Sequence, residues 1–427
     1  MTETVRVGIL GCGNVGGALV ELLAGNGDEI AERTGLRLEV ARVAVRSISK
    51  ERAVVLPDGV LTTDAAGVVD DPDVDVVVEV IGGIEPAREL ILAALAAGKP
   101  VVTGNKELLA NIGAELFAAA EAAGVDLLFE AAVAGGIPLI RPLRESLVAE
   151  RITRIIGIVN GTTNYILTQM TEEGASYGDA LAEAQRLGYA ERDPTADVEG
   201  FDAGAKAAII ASIAFGARVV AGDVYHEGIS GLTPADIEAA RKLGYVVKLL
   251  AIADRDPADG SIGVRVHPAM VPTTHPLASV RESYNAVFVE GEAVGNLMFY
   301  GRGAGGMPSA SAVLGDLIDA AANLRKGAHA SLGSLAKATM RSIDDSESEY
   351  YLNIEVADEP GVLAAVAGVF GAHGVSIRAM EQEGLGDEAR LVFITHTARE
   401  RAVQATLHGL RELDAVKRVV SVLRVVA

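Results

Sequence analysis

The chain has 427 residues, half of them apolar, and its 37 basic and 58 acidic side chains leave a formal net charge of −21. That length exceeds one ordinary domain and predicts two or three. So acidic a surface, with no dense Lys/Arg run, argues against nucleic acid or an anionic membrane as partner. Cys12 is the single cysteine, so no internal disulfide forms, and the seven histidines lack the paired spacing of a transition-metal site. The N-terminal "MTETVRVGIL" has no basic signal-peptide region and reads directly as a strand. Apolar stretches such as 207–217 fall short of the roughly 20 residues a spanning helix needs. A cytoplasmic protein is expected.

In chain order, "VRVGILGCGNVGGALVELLA" sets an apolar strand (5–10) before Gly11-x-Gly13-x-x-Gly16 and a helix. Gly11 suits the tight turn, Gly13 the approach of a pyrophosphate and Gly16 close helix–strand packing. Asn14 and Val15 open the helix, whose N-terminal N–H groups favour an anion. The next strand, "LEVARVAVR", is expected to end at Arg46, where an acidic residue would otherwise hold a ribose 2′-hydroxyl. Arg46 with Lys50 nearby favours a 2′-phosphate, hence NADP(H), with NAD(H) as the alternative. A plain exposed charge at a strand end reads the same residues equally well. "DVDVVVEVIGG" is a further strand with a Gly82–Gly83 loop, followed by a helix over 86–97. "KPVVTGNKELLA" is a strand running into a turn with Asn105 and Lys106, at the strand end where doubly wound sheets collect ligands. "VDLLFEAAVAGGIPLI" (125–140) reads as another strand and the exit from this domain.

"IVNGTTNYIL" (158–167) reads as a strand ending in a polar Asn-Gly-Thr-Thr-Asn loop, suited to a hairpin turn or to a small-molecule pocket. Beyond it an acidic stretch ends in "FDAGAK" and then the apolar "AAIIASIAF". On a helix, Asp202 and Lys206 lie at i and i+4 on one face. A surface pair of that kind contributes only tenths of a kcal/mol, which leaves unexplained why a lysine should open an apolar segment. A lysine so placed suits proton transfer to an alkoxide.

Here the stretch Ala184-x-x-x-Gly188-Tyr189-Ala190-x-x-Asp193-Pro194-x-x-Asp197-Val198-x-Gly200-x-Asp202-x-x-x-Lys206 resembles the signature of the homoserine dehydrogenase family. The likeness extends through "GILGCGNVG", "VVTGNKELLA", "EAAVAGGIPLI", "NGTTNYIL" and "GRGAGGMPSASAVLGDL" (301–317). It implies NAD(P)H-linked interconversion of aspartate 4-semialdehyde and homoserine. By that resemblance Lys206 gives the proton, Glu191 and Asp202 hold the substrate ammonium, and Lys106 sits between cofactor and substrate. Gly188 and Gly303 would lie against the cofactor. Glu130, Val133, Gly135 and Ile137 match a loop that binds a monovalent ion such as Na+ or K+, largely through backbone oxygens.

The polar stretch 341–348 reads as a linker, and after it the order strand, helix, strand, strand, helix, strand forms a split βαβ pattern. Asp358-x-Pro360-Gly361-Val362-Leu363, with "GVSI" opening the next strand, resembles an ACT domain. The resemblance implies amino-acid binding, with threonine as feedback effector, and a homo-oligomer, dimer or tetramer. A structural module without ligand is the alternative. The expected fold class is α/β: a Rossmann-type doubly wound parallel sheet (1–131, with 303–340 returning), an α+β substrate and dimerisation domain (132–302), and a βαββαβ ACT domain (349–427). Two enzyme rivals fall away. A His–carboxylate dehydrogenase finds no histidine in the middle segment before His226, and a phosphorylating semialdehyde dehydrogenase needs a cysteine nucleophile that Cys12, inside the glycine loop, does not supply. The alternative is a catalytically inactive amino-acid sensor on the same scaffold; loss of Lys206, Asp202, Glu191 or Lys106 would support it, and all four are present.

Overall fold

The computed structural model describes residues 2–426 except 53, 334, 385 and 387. It divides into two compact units, one of residues 1–161, 202–224 and 284–338, the other of 162–201, 225–283 and 339–427.

The first unit is built on strands β1 (Glu3–Leu10), β2 (Leu36–Ala44), β3 (Leu61–Thr62), β4 (Val76–Glu79), β5 (Val101–Thr103) and β6 (Leu127–Leu128). They lie in the order β3-β2-β1-β4-β5-β6, every neighbour parallel. This is the doubly wound dinucleotide-binding order, with its ligand crevice at the carboxyl ends of β1 and β4. The strands are near-continuous apolar runs because helices cover both faces. Helices α1 (Asn14–Thr34), α2 (Ala65–Asp70), α3 (Ala87–Ala96) and α4 (Lys106–Ala123) connect them. A long helix over Gly306–Lys326 adds Ala310, Val313, Leu314, Leu317, Ala320 and Ala321 to the same core as Val7, Ile9 and Leu19. At about 1.5–3 kcal/mol per buried Val or Leu side chain, that layer is a substantial part of what holds this sheet. The unit also contains an antiparallel sheet of strands Gly295–Arg302, Tyr284–Gly291 and Ile152–Ile158, in that order.

The second unit carries strands Tyr245–Arg255 and Ile262–Pro272, antiparallel over their whole length. Its C-terminal part is the expected βαββαβ module: strands Glu347–Ala357, Ile377–Gly384, Glu388–Thr395 and Val416–Val425 with helices Val362–Ala372 and Glu400–Arg411. Alternate residues of its first strand (Tyr350, Leu352, Ile354 and Val356) enter one core with Val366, Phe370, Val403 and Leu407 from the two helices.

Several local expectations change. Residues 161–164 are not a loop: Gly161 opens a helix to Glu172, and Thr162, Thr163 and Asn164 are buried in its first turn. Their polar groups find internal partners, which removes the need for solvent. Arg46 lies two residues beyond β2, which ends at Ala44. Lys106 is not in a turn but is the first residue of α4, whose cap Asn105 accepts the N–H of Leu108 at 3.1 Å. The stretch 341–348 holds a 3-10 turn (Ile343–Asp345) and the start of a strand, where Glu347 pairs with Arg399.

Candidate active site

At the carboxyl ends of β1 and β4 the backbone is shaped by close approach. A Cβ on Gly16 would sit 2.1 Å from the carbonyl oxygen of Gly11, so α1 can start there only with glycine. Gly135 has φ +53°, and a Cβ on it would lie 2.4 Å from the carbonyl oxygen of Gly303. The loop before helix Gly306–Lys326 is thereby pressed onto the loop after β6. Buried Glu79, at the end of β4, accepts the N–H groups of Ile81 (2.8 Å) and Gly82 (3.1 Å) and the hydroxyl of Thr103 (2.5 Å). Asn105 donates to the Gly83 carbonyl at 2.6 Å. These bonds brace a cleft of about 280 Å3 walled by Gly82, Gly83, Gly104, Asn105, Gly135 and Gly303, with Lys106 and Lys206 at its polar end. Glu79 escaped the sequence reading, although a glutamate closing an all-apolar strand was its visible signal.

The helix Phe201–Phe215 brings Asp202 and Lys206 to that end. Both are 8 % exposed. Lys206 Nζ donates to Asp202 Oδ2 (2.8 Å) and to the Val159 carbonyl (2.7 Å). Asp202 Oδ2 also accepts Asn160 Nδ2 at 2.8 Å, and Oδ1 accepts Lys106 Nζ. Burial opposes ionisation of Asp202, but the charges and hydrogen bonds of Lys206 and Lys106 prevail and hold its carboxyl well below the ordinary 3.8. One carboxylate thus organises two ammonium groups and an amide. Asn160 is a part of this cluster that the sequence left undivided within its polar stretch.

Three donors belong to a lysine ammonium. Two of Lys206's are engaged by Asp202 and Val159. Lys106 differs, since its side chain keeps 46 % of its exposure.

Other expected residues are placed as follows. Gly11, Gly13, Asn14, Val15 and Gly16 form the loop and first turn of α1. Arg46 is exposed beyond β2. Glu130 is buried, and its carboxylate accepts the backbone N–H groups of Leu139, Ile140 (2.7 Å) and Arg141 (2.9 Å). Both its oxygens are so engaged, which leaves the side chain little capacity as an ion ligand. Among the described residues no group of three His, Cys, Asp or Glu could hold a metal. Cys12 is partly buried, and burial pushes its thiol up despite the neighbouring Arg52, which disfavours a nucleophilic thiolate.

In the second unit, Gly188 (φ +78°) and exposed Glu191 follow helix Tyr177–Arg186, where Gln185 Nε2 donates to the Glu191 carbonyl at 3.0 Å. Thr162 Oγ1 donates to the Tyr189 carbonyl at 2.7 Å and holds that turn. Asn164 is committed to structure: its Oδ1 accepts Lys248 Nζ at 2.9 Å and its Nδ2 donates to the Glu282 carbonyl at 2.8 Å. Burial pushes Lys248 down to about 8. Asp358, Pro360 and Gly361 form an exposed loop, with Gly361 (φ +91°) capping helix Val362–Ala372.

The parallel sheet, the glycine loop and a lysine-bearing cleft at the strand ends define a nicotinamide-nucleotide oxidoreductase. Comparison with known proteins narrows the class. Residues 11–130 match the family described as homoserine dehydrogenase, NAD binding domain; residues 138–318 match homoserine dehydrogenase; residues 350–413 match the ACT domain. The homoserine dehydrogenase of Corynebacterium glutamicum is 52 % identical over 99 % of this chain and 96 % of its own length. The crystal structure of a homoserine dehydrogenase from Thiobacillus denitrificans superposes with a TM-score of 0.93 at 45 % identity, covering 99 % of this chain and 98 % of that one. A hyperthermophilic archaeal homoserine dehydrogenase in complex with NADPH has a TM-score of 0.64 at 30 % identity, covering 74 % of this chain and 98 % of its own. The chain belongs to the homoserine dehydrogenase family, and it is an oxidoreductase with a nicotinamide-cofactor domain and a C-terminal ACT domain. Among the described residues no helix is long and apolar enough to cross a membrane.

Proposed function

We propose that the chain reduces L-aspartate 4-semialdehyde to L-homoserine with NADPH, and that Lys206 is the proton donor. The observation that carries this reading is the Lys206–Asp202–Lys106 cluster at the polar end of the cleft. Bound cofactor supplies the hydride, and the glycine loop Gly11–Gly16 with Gly303 would hold it. Lys206 is held from two sides, so its third N–H is oriented before substrate arrives. As charge develops on the carbonyl oxygen that N–H hydrogen-bonds it and then gives up the proton, and Asp202 and the Val159 carbonyl keep the amine in place. General acid catalysis of this kind contributes about 10²–10⁴-fold.

The ammonium grip is read, as the family resemblance implies, as Glu191 with Asp202, and Asp202 also orients the lysines. Lys106 takes the position between cofactor and substrate, where its half-exposed ammonium would meet a carboxylate. Arg46 sets the preference for NADP(H) through a 2′-phosphate. The main chain at Glu130, Val133, Gly135 and Ile137 would hold a monovalent ion, whose chemistry is to fix this loop against Gly303. The ACT loop Asp358–Gly361, at a helix N-terminus, is read as the seat of an amino-acid carboxylate, with threonine the effector and a homo-oligomer the working form.

The test is loss of NADPH absorbance with aspartate 4-semialdehyde, repeated with NADH and with millimolar threonine. Turnover suppressed by threonine supports enzyme and effector together. Turnover indifferent to threonine retires the effector reading, and folded protein without turnover retires the catalytic one.

A further inference from the structure

The backbone just ahead of the active-site helix packs on residues 225–229, which pair with the strand Ile262–Pro272. Tyr225 and His226 pair in parallel with Arg265 and Val266. The Glu227 N–H donates to the Val266 carbonyl, and the Ile229 N–H to the Val198 carbonyl, both at 2.8 Å. Gly200 packs so closely that a Cβ would lie 3.1 Å from Val266 Cγ1 and 3.4 Å from the Glu227 carbonyl oxygen. Phe201, which opens the helix of Asp202 and Lys206, meets the His226 ring edge-on with centroids 4.4 Å apart. Residues 198–201 are thus seated on residues 225–229.

The same strand that holds Tyr225 and His226 also receives the ACT domain. Four residues further on, Ala269 and Met270 pair in parallel with Arg424 and Val425 of the last strand, and the Val426 N–H donates to the Met270 carbonyl at 2.9 Å. Arg424 is 6 % exposed. Its Nε donates to Glu400 Oε2 and its Nη2 to Glu227 Oε1, each at 2.8 Å, with the guanidinium 5.7 Å from the Tyr225 ring centroid. Glu400, 2 % exposed, also accepts Tyr350 OH (2.8 Å) and Gln404 Nε2 (2.7 Å). Tyr225 OH donates to Glu227 Oε1 at 2.5 Å. Arg424, Glu400 and Tyr350 all belong to the ACT domain, and outside it, among the described residues, the guanidinium grips the carboxylate of Glu227.

We propose that Glu227 is a positioning residue that ties the ACT domain, through Arg424, to the segment that sets the start of the active-site helix. A shift of the last strand pulls on Glu227, and its neighbour His226 carries that shift to Phe201, one residue before Asp202. The guanidinium bridges carboxylates on two elements, giving each one charge-assisted hydrogen bond from a different N–H, so the tie is directional. Two sites are coupled when each biases one element between two arrangements, and here that element is the segment 225–229. The regulatory half of this inference rests on the effector reading above; the mechanical half does not.

The experiment uses the full chain carrying Glu227→Ala, with Glu227→Gln, which keeps an acceptor oxygen, as the conservative variant. Threonine is the probe. Calorimetric affinity for threonine is expected to stay within about twofold of the parent, while the midpoint of inhibition rises at least about fivefold, the lower end of ordinary coupling. Hydrogen exchange of the peptide spanning 198–210 is expected to quicken in Glu227→Ala, to a lesser degree in Glu227→Gln, with strand 350–357 still protected. An unchanged inhibition midpoint, or unchanged exchange of that peptide, overturns the proposal. If the parent binds no threonine, the effector reading is lost and the exchange result alone decides the tie. If Glu227→Ala does not fold, Glu227→Gln carries both measurements.

Discussion

Two clusters of buried charge mirror each other in this protein. In one, the Asp202 carboxylate takes two ammonium groups, Lys206 and Lys106. In the other, the Arg424 guanidinium takes two carboxylates, Glu400 and Glu227. Both place a central ion against two of opposite sign, yet their surroundings differ. The Asp202 cluster borders a cleft that Lys206 and half-exposed Lys106 both line. At Arg424 the described partners are the carboxylates of Glu400 and partly exposed Glu227 and the Tyr225 ring, and the strand that carries Arg424 is paired on both sides. A charge cluster that opens on a cleft can meet a ligand, whereas one set between paired strands ties elements together, and breaking it leaves a buried charge uncompensated.

The largest expected effect breaks the first cluster. Lys206→Met should lower kcat by about 10²–10⁴-fold with circular dichroism unchanged, because it removes the oriented proton donor. A variant within tenfold of the parent would move the donor role to Lys106, which Lys106→Met in the same assay would then reveal. The second cluster should fail differently. Arg424→Met leaves Glu400 buried without its cation and should cost about 3–5 kcal/mol of stability in denaturant unfolding. Replacing both partners, Arg424→Met with Glu400→Leu, should recover most of that loss; if it does not, this cluster stabilises by more than mutual charge compensation.

A smaller effect separates the clusters by pH. The Asp202 carboxyl is depressed in the folded state, so its ionised form contributes stability that is present above the ordinary carboxylate value of 3.8 and is lost as pH falls below it. Asp202→Asn should therefore unfold along a shallower acid limb than the parent below about pH 4, where urea midpoints would be compared. Equal slopes would mean the two lysines do not hold that carboxyl down. Lys248 gives the opposite limb. Its ammonium is disfavoured by burial, so folding is penalised below about pH 8 and regains stability as pH rises towards the ordinary 10.5. Lys248→Met should remove that rise, as thermal midpoints across the alkaline range would report. The mildest effect lies at the surface: Arg46→Asp should shift the NADPH/NADH preference towards NADH and leave Tm unchanged, and a constant ratio of kcat/KM values would exclude Arg46 from cofactor choice.

The sequence by itself determined what depends on short spacing. The glycine loop was legible because strand, turn and helix follow one another within some twenty residues, each obeying local backbone rules. Asp202 and Lys206 were legible as a pair because 3.6 residues per turn place i and i+4 on one face. The βαββαβ order of the last module followed from alternation and turn residues in the same way. The tertiary structure decided what depends on long separations. It alone set Lys106 on Asp202, 96 positions away, and Arg424 on Glu227, 197 positions away. It turned Glu130 inward to accept three backbone N–H groups, and it made a helix of the Gly161–Asn164 stretch that composition marks as a turn. Local rules act through the covalent chain, so they can be read along it. The partner of a buried charge is chosen by which elements the core packs together, and that choice exists only once the chain has folded.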